Sequence, residues 1–195
     1  MIDFSPVRSK EKTLQDLAEG LTRDDLVRLA NEMCDIFQEL IATAEDPDTT
    51  FVPRDPDAKD TFAARPEDVE LAWTLGHVIV HWTASSEEAG AHALTLARGV
   101  EITGRSRWEV DWPEANNVQF LRDRIEESRR MQLAMLEAWP ARTHLEVTYT
   151  AREGATPVNA IGRFLGGLSH ADSHREQVRK VLDQATAART GAASA

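Results

Sequence analysis

Residues Val158–Ala188 have the sequence VNAIGRFLGGLSHADSHREQVRKVLDQATAA, and this stretch decides the fold class. Its apolar residues recur every three or four positions, which is the period of a helix with one buried face. His170 and His174 are four residues apart in the stretch and therefore share one face of that helix. The stretch predicts a long amphipathic helix that carries two imidazoles. Its apolar positions are Ile161, Leu165, Leu168, Val178, Val181 and Leu182.

Three more long helices are predicted upstream by the same period. They span about Asp24–Thr43, Pro66–Arg98 and a third segment from Pro113 or Glu114 to Ala138. Four amphipathic helices of this length bury their apolar faces best by packing together. We therefore expect an all-α fold, a four-helix bundle over residues 21–188 with long connecting loops at about 44–65 and 139–157.

The ends of these helices carry their own signals. Thr22 with Asp25 resembles a capping box at the start of the first helix. Pro66, followed by Glu67 and Asp68, suits the first turn of the second helix. We expect residues 1–20 to form an N-terminal extension with a short helix around Thr13–Glu19, residues 145–150 to be extended, and residues 189–195 to be a frayed tail.

The composition excludes several classes of partner. The chain has 195 residues, of which 33 are acidic and 22 basic, and its formal net charge is −11. Nucleic acids and anionic membranes need a basic surface, so we expect neither as a partner. The single cysteine, Cys34, excludes an internal disulfide framework. The N-terminus resembles no signal peptide, and no apolar run is long enough to span a membrane, so we expect a cytoplasmic protein.

Four of the six histidines form two pairs with a spacing of four residues, His77/His81 and His170/His174. Each pair can direct two imidazoles to one point if its segment is helical. Imidazole is a common ligand of zinc, nickel and iron-type ions, and a catalytic zinc site takes three protein ligands and leaves one position open. His77 and His81 compete for the third position. The alternative is that both pairs are solvated or hydrogen-bonded histidines without a metal.

Two segments around these pairs resemble one protein family. They are Trp73-Thr-Leu-Gly-His-Val-Ile-Val-His81 and Leu168-Ser-His-Ala-Asp-Ser-His-Arg-Glu-Gln177. In order and separation they are similar to the motifs of the DinB/YfiT-like family, which is related to thiol-dependent transferases and to the N-terminal part of mycothiol-dependent maleylpyruvate isomerases. The resemblance covers roughly residues 20–185. It implies a four-helix bundle with a divalent metal ion at one end of the core, held by His81, His170 and His174.

The resemblance also sets the expected function. It implies a metal-dependent hydrolase or thiol transferase that acts on a small molecule or a low-molecular-weight thiol, in a chain that forms a homodimer. No catalytic residue is identified, although Asp172 or Glu88 lies near enough in sequence to orient ligands or move protons. His77 is left as a neighbour of the metal, a substrate contact or an alternative ligand. The alternatives are a non-catalytic metal-binding stress-response protein and a metal-free helical interaction module.

Other reactive residues have plainer interpretations. Ser169 lies in a helical segment without a nucleophile elbow, which disfavours serine hydrolysis. Cys34 lies in the apolar stripe of the first helix and is expected to pack in the core. Arg105 and Arg107 are either solvated or bind an anionic substrate group. Trp108 and Trp112, in the same loop, either pack locally or form the wall of a pocket or an interface.

Overall fold

The computed structural model describes residues 1–60 and 68–191. Over those ranges the chain forms seven α-helices and no β-strand, which confirms the all-α prediction. Extended pairing in the same ranges is limited to an isolated bridge between Tyr149 and Val158. The helices are α1 (Ser5–Arg8), α2 (Leu14–Ala18), α3 (Arg23–Leu40), α4 (Asp46–Thr50), α5 (Leu75–Ala97), α6 (Val118–Glu137) and α7 (Ala160–Arg189).

Side-chain caps fix where the helices begin. The capping box of Thr22 and Asp25 is present at α3, as the sequence predicted. The start predicted for the second helix was wrong, because α5 begins at Leu75. The Thr74 hydroxyl accepts a hydrogen bond from the His77 backbone N–H there, which satisfies an amide that the helix itself leaves free. Asp68 precedes the helix, and residues 66–67 lie outside the described ranges.

The remaining differences lie in the connections. The predicted linker at 44–65 contains helix α4 within its described part, and α1 was not predicted at all. The third long helix begins at Val118 instead of Pro113, because residues 112–114 form a separate 3₁₀ turn and Asn117 caps the helix. Both unpredicted helices are shorter than two turns and leave no recognisable apolar period.

The four long helices pack against one another in a cycle. Helix α5 contacts α6 and α7, and helix α3 contacts the same two helices. The Phe37 and Trp82 rings stack in the core with their centroids 4.3 Å apart. No helix in the described part of the chain is both long and apolar enough to cross a bilayer.

Helices α5 and α7 approach each other closely at a glycine. A methyl group placed on Gly167 would lie 2.6 Å from the Ala89 Cβ and 3.3 Å from the Ser86 Cα. Only a residue without a side chain allows this approach. Because Gly167 precedes His170 by one turn, the contact also holds the α7 histidines against α5.

Candidate metal centre

Three of the predicted histidines meet between α5 and α7. The Nε2 atom of His170 lies 3.0 Å from Nε2 of His81 and 3.3 Å from Nε2 of His174. One ligand atom from each of the three residues lies within 4.8 Å of the others. The three residues are partly buried, so the cluster lies near the surface of the core. The structure thus brings His81, His170 and His174 together as a set of three nitrogen donors.

The far side of two of these rings is held by neighbouring side chains. Nδ1 of His174 lies 2.8 Å from Oε1 of Gln177, an amide oxygen that can only accept a hydrogen bond. The His174 proton is therefore on Nδ1, and its Nε2 carries a lone pair. Nδ1 of His81 lies 3.6 Å from Oε2 of Glu109 and 3.1 Å from Nη2 of Arg107. Such outer contacts orient the ring of a ligating histidine.

Burial favours the neutral form of the two imidazoles on α7, His170 and His174. Burial, together with the neighbouring histidines, lowers the pKa of His170 to about 3. Burial likewise lowers the pKa of His174 to about 4, although the hydrogen bond to Gln177 opposes the shift. Neutral imidazole is the form that binds a metal ion. Burial would raise the pKa of the Glu109 carboxyl, but His81 and Arg107 hold it below its usual range, so Glu109 is an anion beside the cluster.

The close contacts between the nitrogens cannot all be hydrogen bonds. His170 Nε2 takes part in both short contacts, and this atom either carries a proton or accepts one. Since the His174 Nε2 is an acceptor, His170 can satisfy that contact or the one with His81, but not both. At least one of the two short contacts is therefore not a linear hydrogen bond, which is unfavourable in a partly buried site unless a cation lies between the nitrogens.

His77 lies outside this cluster. Its ring is stacked between Trp73 and Trp112, with centroid distances of 4.3 Å and 5.4 Å. Its Nδ1 atom is buried without a hydrogen-bond partner among the described residues, and burial lowers its pKa to about 4. Trp73 also covers the cluster itself, since its centroid lies 4.5 Å from the His81 ring. The structure therefore separates the two histidines that the sequence left in competition.

The loop that carries Arg107 and Glu109 is attached to α5 through Glu88. The Glu88 carboxylate accepts hydrogen bonds from the backbone N–H groups of Ser106 and Arg107, at 3.0 Å and 3.1 Å. It also pairs with the Arg105 guanidinium at 2.9 Å. Glu88 thus positions the loop that reaches the cluster. Its carboxylate hydrogen-bonds to that loop and not to a histidine of the cluster.

The other candidates take no part in the cluster. Asp172 pairs with Arg8 at 2.7 Å and with Arg175 at 2.9 Å, so its carboxylate ties α7 to α1. Cys34 is fully buried, and burial raises the pKa of its thiol to about 12, which fits the predicted packing role. Trp108 is exposed, whereas Trp112 packs on His77.

Sequence reasoning missed Glu109 and placed Arg107 in solvent or against an anionic substrate group, not beside His81. Both lie in an irregular loop, where no periodicity indicates which side chains face inward. The only signal was compositional, since two arginines and a glutamate alternate with uncharged residues in Arg105–Val110. Gln177 was part of the quoted motif but received no role, and the structure places it against His174.

Comparison with known proteins adds no relative, because no family model, curated protein or solved structure matches this chain.

Proposed function

We propose that this chain binds a divalent metal ion through His81, His170 and His174 and uses it in a hydrolase or thiol-transferase reaction on a small molecule. The observation that carries the proposal is the convergence of three imidazoles whose two short Nε2 contacts cannot both be linear hydrogen bonds. A cation between them would satisfy every lone pair at once. Zinc, nickel and iron-type ions all suit a site of three imidazoles.

The same proposal includes the fold type and the family. The cycle of contacts among α3, α6, α5 and α7 supports a four-helix bundle of the DinB/YfiT-like type. The two histidine-bearing segments lie on α5 and α7, as that resemblance implies, with Trp73 beside the first. A homodimer remains a prediction, which sedimentation of the purified chain would measure.

Three protein ligands leave at least one coordination position open, and this argues for catalysis over a purely structural site. A divalent ion in such a site lowers the pKa of a bound water or thiol and so provides a nucleophile at neutral pH. In this chain Glu109 would hold the proton on Nδ1 of His81, so that its Nε2 is free to bind metal. Trp73 would exclude water from one side of the imidazoles.

Metal content is the direct test of binding. The purified protein is loaded separately with zinc, nickel and ferrous ions, dialysed, and analysed by mass spectrometry. We expect one ion per chain in the wild type, and loss of that ion in His81→Ala and His174→Ala. His144→Ala is the matched control, because His144 pairs with Glu146 at the surface and away from the cluster. A wild-type protein that retains no ion under any loading condition would overturn the proposal.

Cobalt substitution separates an open site from a closed one. The visible spectrum of the cobalt protein reports coordination number, and a thiolate that binds the ion adds a sulfur-to-metal charge-transfer band. We expect N-acetylcysteine to produce this band in the wild type. A spectrum that no thiol or anion changes would indicate a closed structural site. Metal removal gives a second readout, since a structural site should unfold the chain whereas an open one should leave it folded.

A further inference from the structure

A second site lies along the same two helices, in a cavity of about 960 Å³. Its floor is formed by α5 and α7, and its walls by the N-terminal segment and the loop at 149–158. Small-molecule sites typically have volumes of roughly 300–1,000 Å³. The cavity lies toward the other end of α5 and α7 from the histidines, because Glu88 and His92 follow His81 by two and three turns.

The charged residues that line this cavity are mostly cations, although the chain as a whole is acidic. The chain carries a net charge of −11, yet most charged residues that line the cavity are cations. Among the described lining residues the only anion is Glu88. The cations are Lys10, Lys12, Arg105, Arg152 and Arg163. The cavity is therefore a local concentration of positive charge in an acidic protein, and low-dielectric walls strengthen such a field.

Glu88 does not neutralise the excess. Its carboxylate already accepts hydrogen bonds from two Arg105 nitrogens, Nε at 3.3 Å and Nη2 at 2.9 Å. It also accepts hydrogen bonds from the two loop amides. Burial alone would raise the pKa of Glu88, but the hydrogen bonds from Arg105 and Ser106 hold it below its usual range. Glu88 is thus a fixed anion whose hydrogen-bonding capacity is used by its own loop.

Arg163 is left without an anionic partner. Its Nη2 lies 3.2 Å from Nδ1 of His92, and its Cζ lies 5.6 Å from the centre of the Tyr149 ring. No carboxylate of the described residues forms an ion pair with its guanidinium. Burial lowers its pKa, and the negative charge of Glu88 opposes this shift without reversing it. A partly buried cation without an ion-pair partner is costly unless a ligand supplies the opposite charge.

We propose that this cavity binds a small anionic molecule whose carboxylate or phosphate group pairs with Arg163. A guanidinium offers two parallel N–H donors that match an oxyanion, and His92 holds this one in place by accepting a hydrogen bond. Lys10, Lys12 and Arg152 are exposed at the rim, where they would attract the anion. This site goes beyond the proposed metal chemistry and does not depend on it.

The chain provides its own probe for a binding experiment. Tyr149 is the single tyrosine and lines the cavity, so 3-fluorotyrosine incorporation gives one fluorine resonance at the site. The metal-free protein is titrated with inorganic phosphate and, separately, with citrate, and sodium chloride at equal ionic strength is the reference. We expect the resonance to shift saturably with phosphate, citrate or both, and the stronger of the two identifies the preferred oxyanion. Because metal is absent, failure here would leave the metal proposal untouched.

Variants test whether Arg163 binds the anion. Arg163→Gln should raise the dissociation constant at least tenfold, whereas Arg179→Gln, on the exposed face of the same helix, should not change it. If Arg163→Gln does not fold, the exposed pair Lys12→Gln with Arg152→Gln should still weaken binding severalfold. The proposal is overturned if neither phosphate nor citrate gives a saturable shift. It is also overturned if a folded Arg163→Gln variant binds the anion as tightly as the wild type. If that variant does not fold, wild-type affinity in the Lys12→Gln and Arg152→Gln double variant overturns the proposal.

Discussion

The two ring nitrogens of His81 face different groups: Nε2 lies 3.0 Å from Nε2 of His170, and Nδ1 lies 3.6 Å from Oε2 of Glu109. A proton on Nδ1 that points to the carboxylate leaves Nε2 free as a donor to a metal ion. Arg107 competes for the same Nδ1 atom at 3.1 Å, and it favours the opposite tautomer because a guanidinium can only donate. Glu109 and Arg107 therefore favour opposite tautomers of His81, and the tautomer that Glu109 favours leaves Nε2 free for a metal ion.

Glu109→Gln should weaken metal binding without removing the site. The amide has no charge to hold the Nδ1 proton or to neutralise Arg107, so the zinc dissociation constant should rise by about tenfold or more. Competition with a chromogenic chelator measures the constant, and mass spectrometry should still find one ion per chain at saturating zinc. Glu114→Gln, at an exposed position of the same connection, is the control. Equal affinities of wild type and Glu109→Gln would show that Glu109 does not support His81.

His77→Phe should leave metal stoichiometry unchanged, whereas His81→Phe should abolish it. Phenylalanine preserves the stack between Trp73 and Trp112 and removes an Nδ1 atom that is buried without a partner. We therefore also expect the melting temperature of His77→Phe to stay the same or rise. Metal analysis and thermal unfolding of the two variants together test the separation of the pair. Loss of metal in His77→Phe would place His77 among the ligands.

The metal-free protein should lose stability as the pH falls from 7 to 5. Burial holds the pKa values of His77, His170 and His174 at about 4, 3 and 4, below the ordinary value of 6.5. The unfolded chain therefore binds protons in this range that the folded chain does not, and each histidine lowers the free energy of unfolding by up to about 2 kcal/mol at pH 5. Urea unfolding of apoprotein at both pH values measures the loss.

The same experiment has an internal control. His77→Phe should reduce the pH dependence, because it removes one of the three titrating groups, whereas His144→Phe at the surface should not. Above pH 7 the curves of all three proteins should be flat with respect to these histidines. A wild-type free energy of unfolding that is equal at pH 7 and pH 5 would contradict the neutral, buried state of the imidazoles.

Gly167→Ala and the neighbouring Gly166→Ala should have opposite effects. A methyl group at 167 would lie 2.6 Å from the Ala89 Cβ, so α7 must move away from α5 at a cost of about 1–3 kcal/mol. A methyl group at 166 meets its nearest atoms at an ordinary 3.5 Å, and alanine favours the helix over glycine by about 1 kcal/mol. Chemical unfolding and zinc affinity of both variants are the measurements. We expect Gly167→Ala alone to weaken metal binding, and similar losses in both would contradict the close approach.

The residues of the cluster that could be predicted from sequence are those on regular helices. His170 and His174 share a face because of their spacing, and the resemblance chose His81 over His77. Glu109 could not be found in this way, because it lies 28 residues beyond His81 in a loop without a repeating pattern. The start of α5 was misplaced for a related reason: Pro66 offered a strong signal, whereas Thr74 caps His77 without the acidic residue that completes a capping box.

The attachment of Arg107 has a consequence for how sequences of this kind diverge. Its backbone amide is bound by Glu88 and its guanidinium by Glu109, while the same guanidinium touches His81. A substitution at any one of these positions leaves a charge or an amide without its partner at the others. We expect positions 81, 88, 107 and 109 to co-vary in an alignment of homologues, so that the loop and the helix would be inherited as one unit.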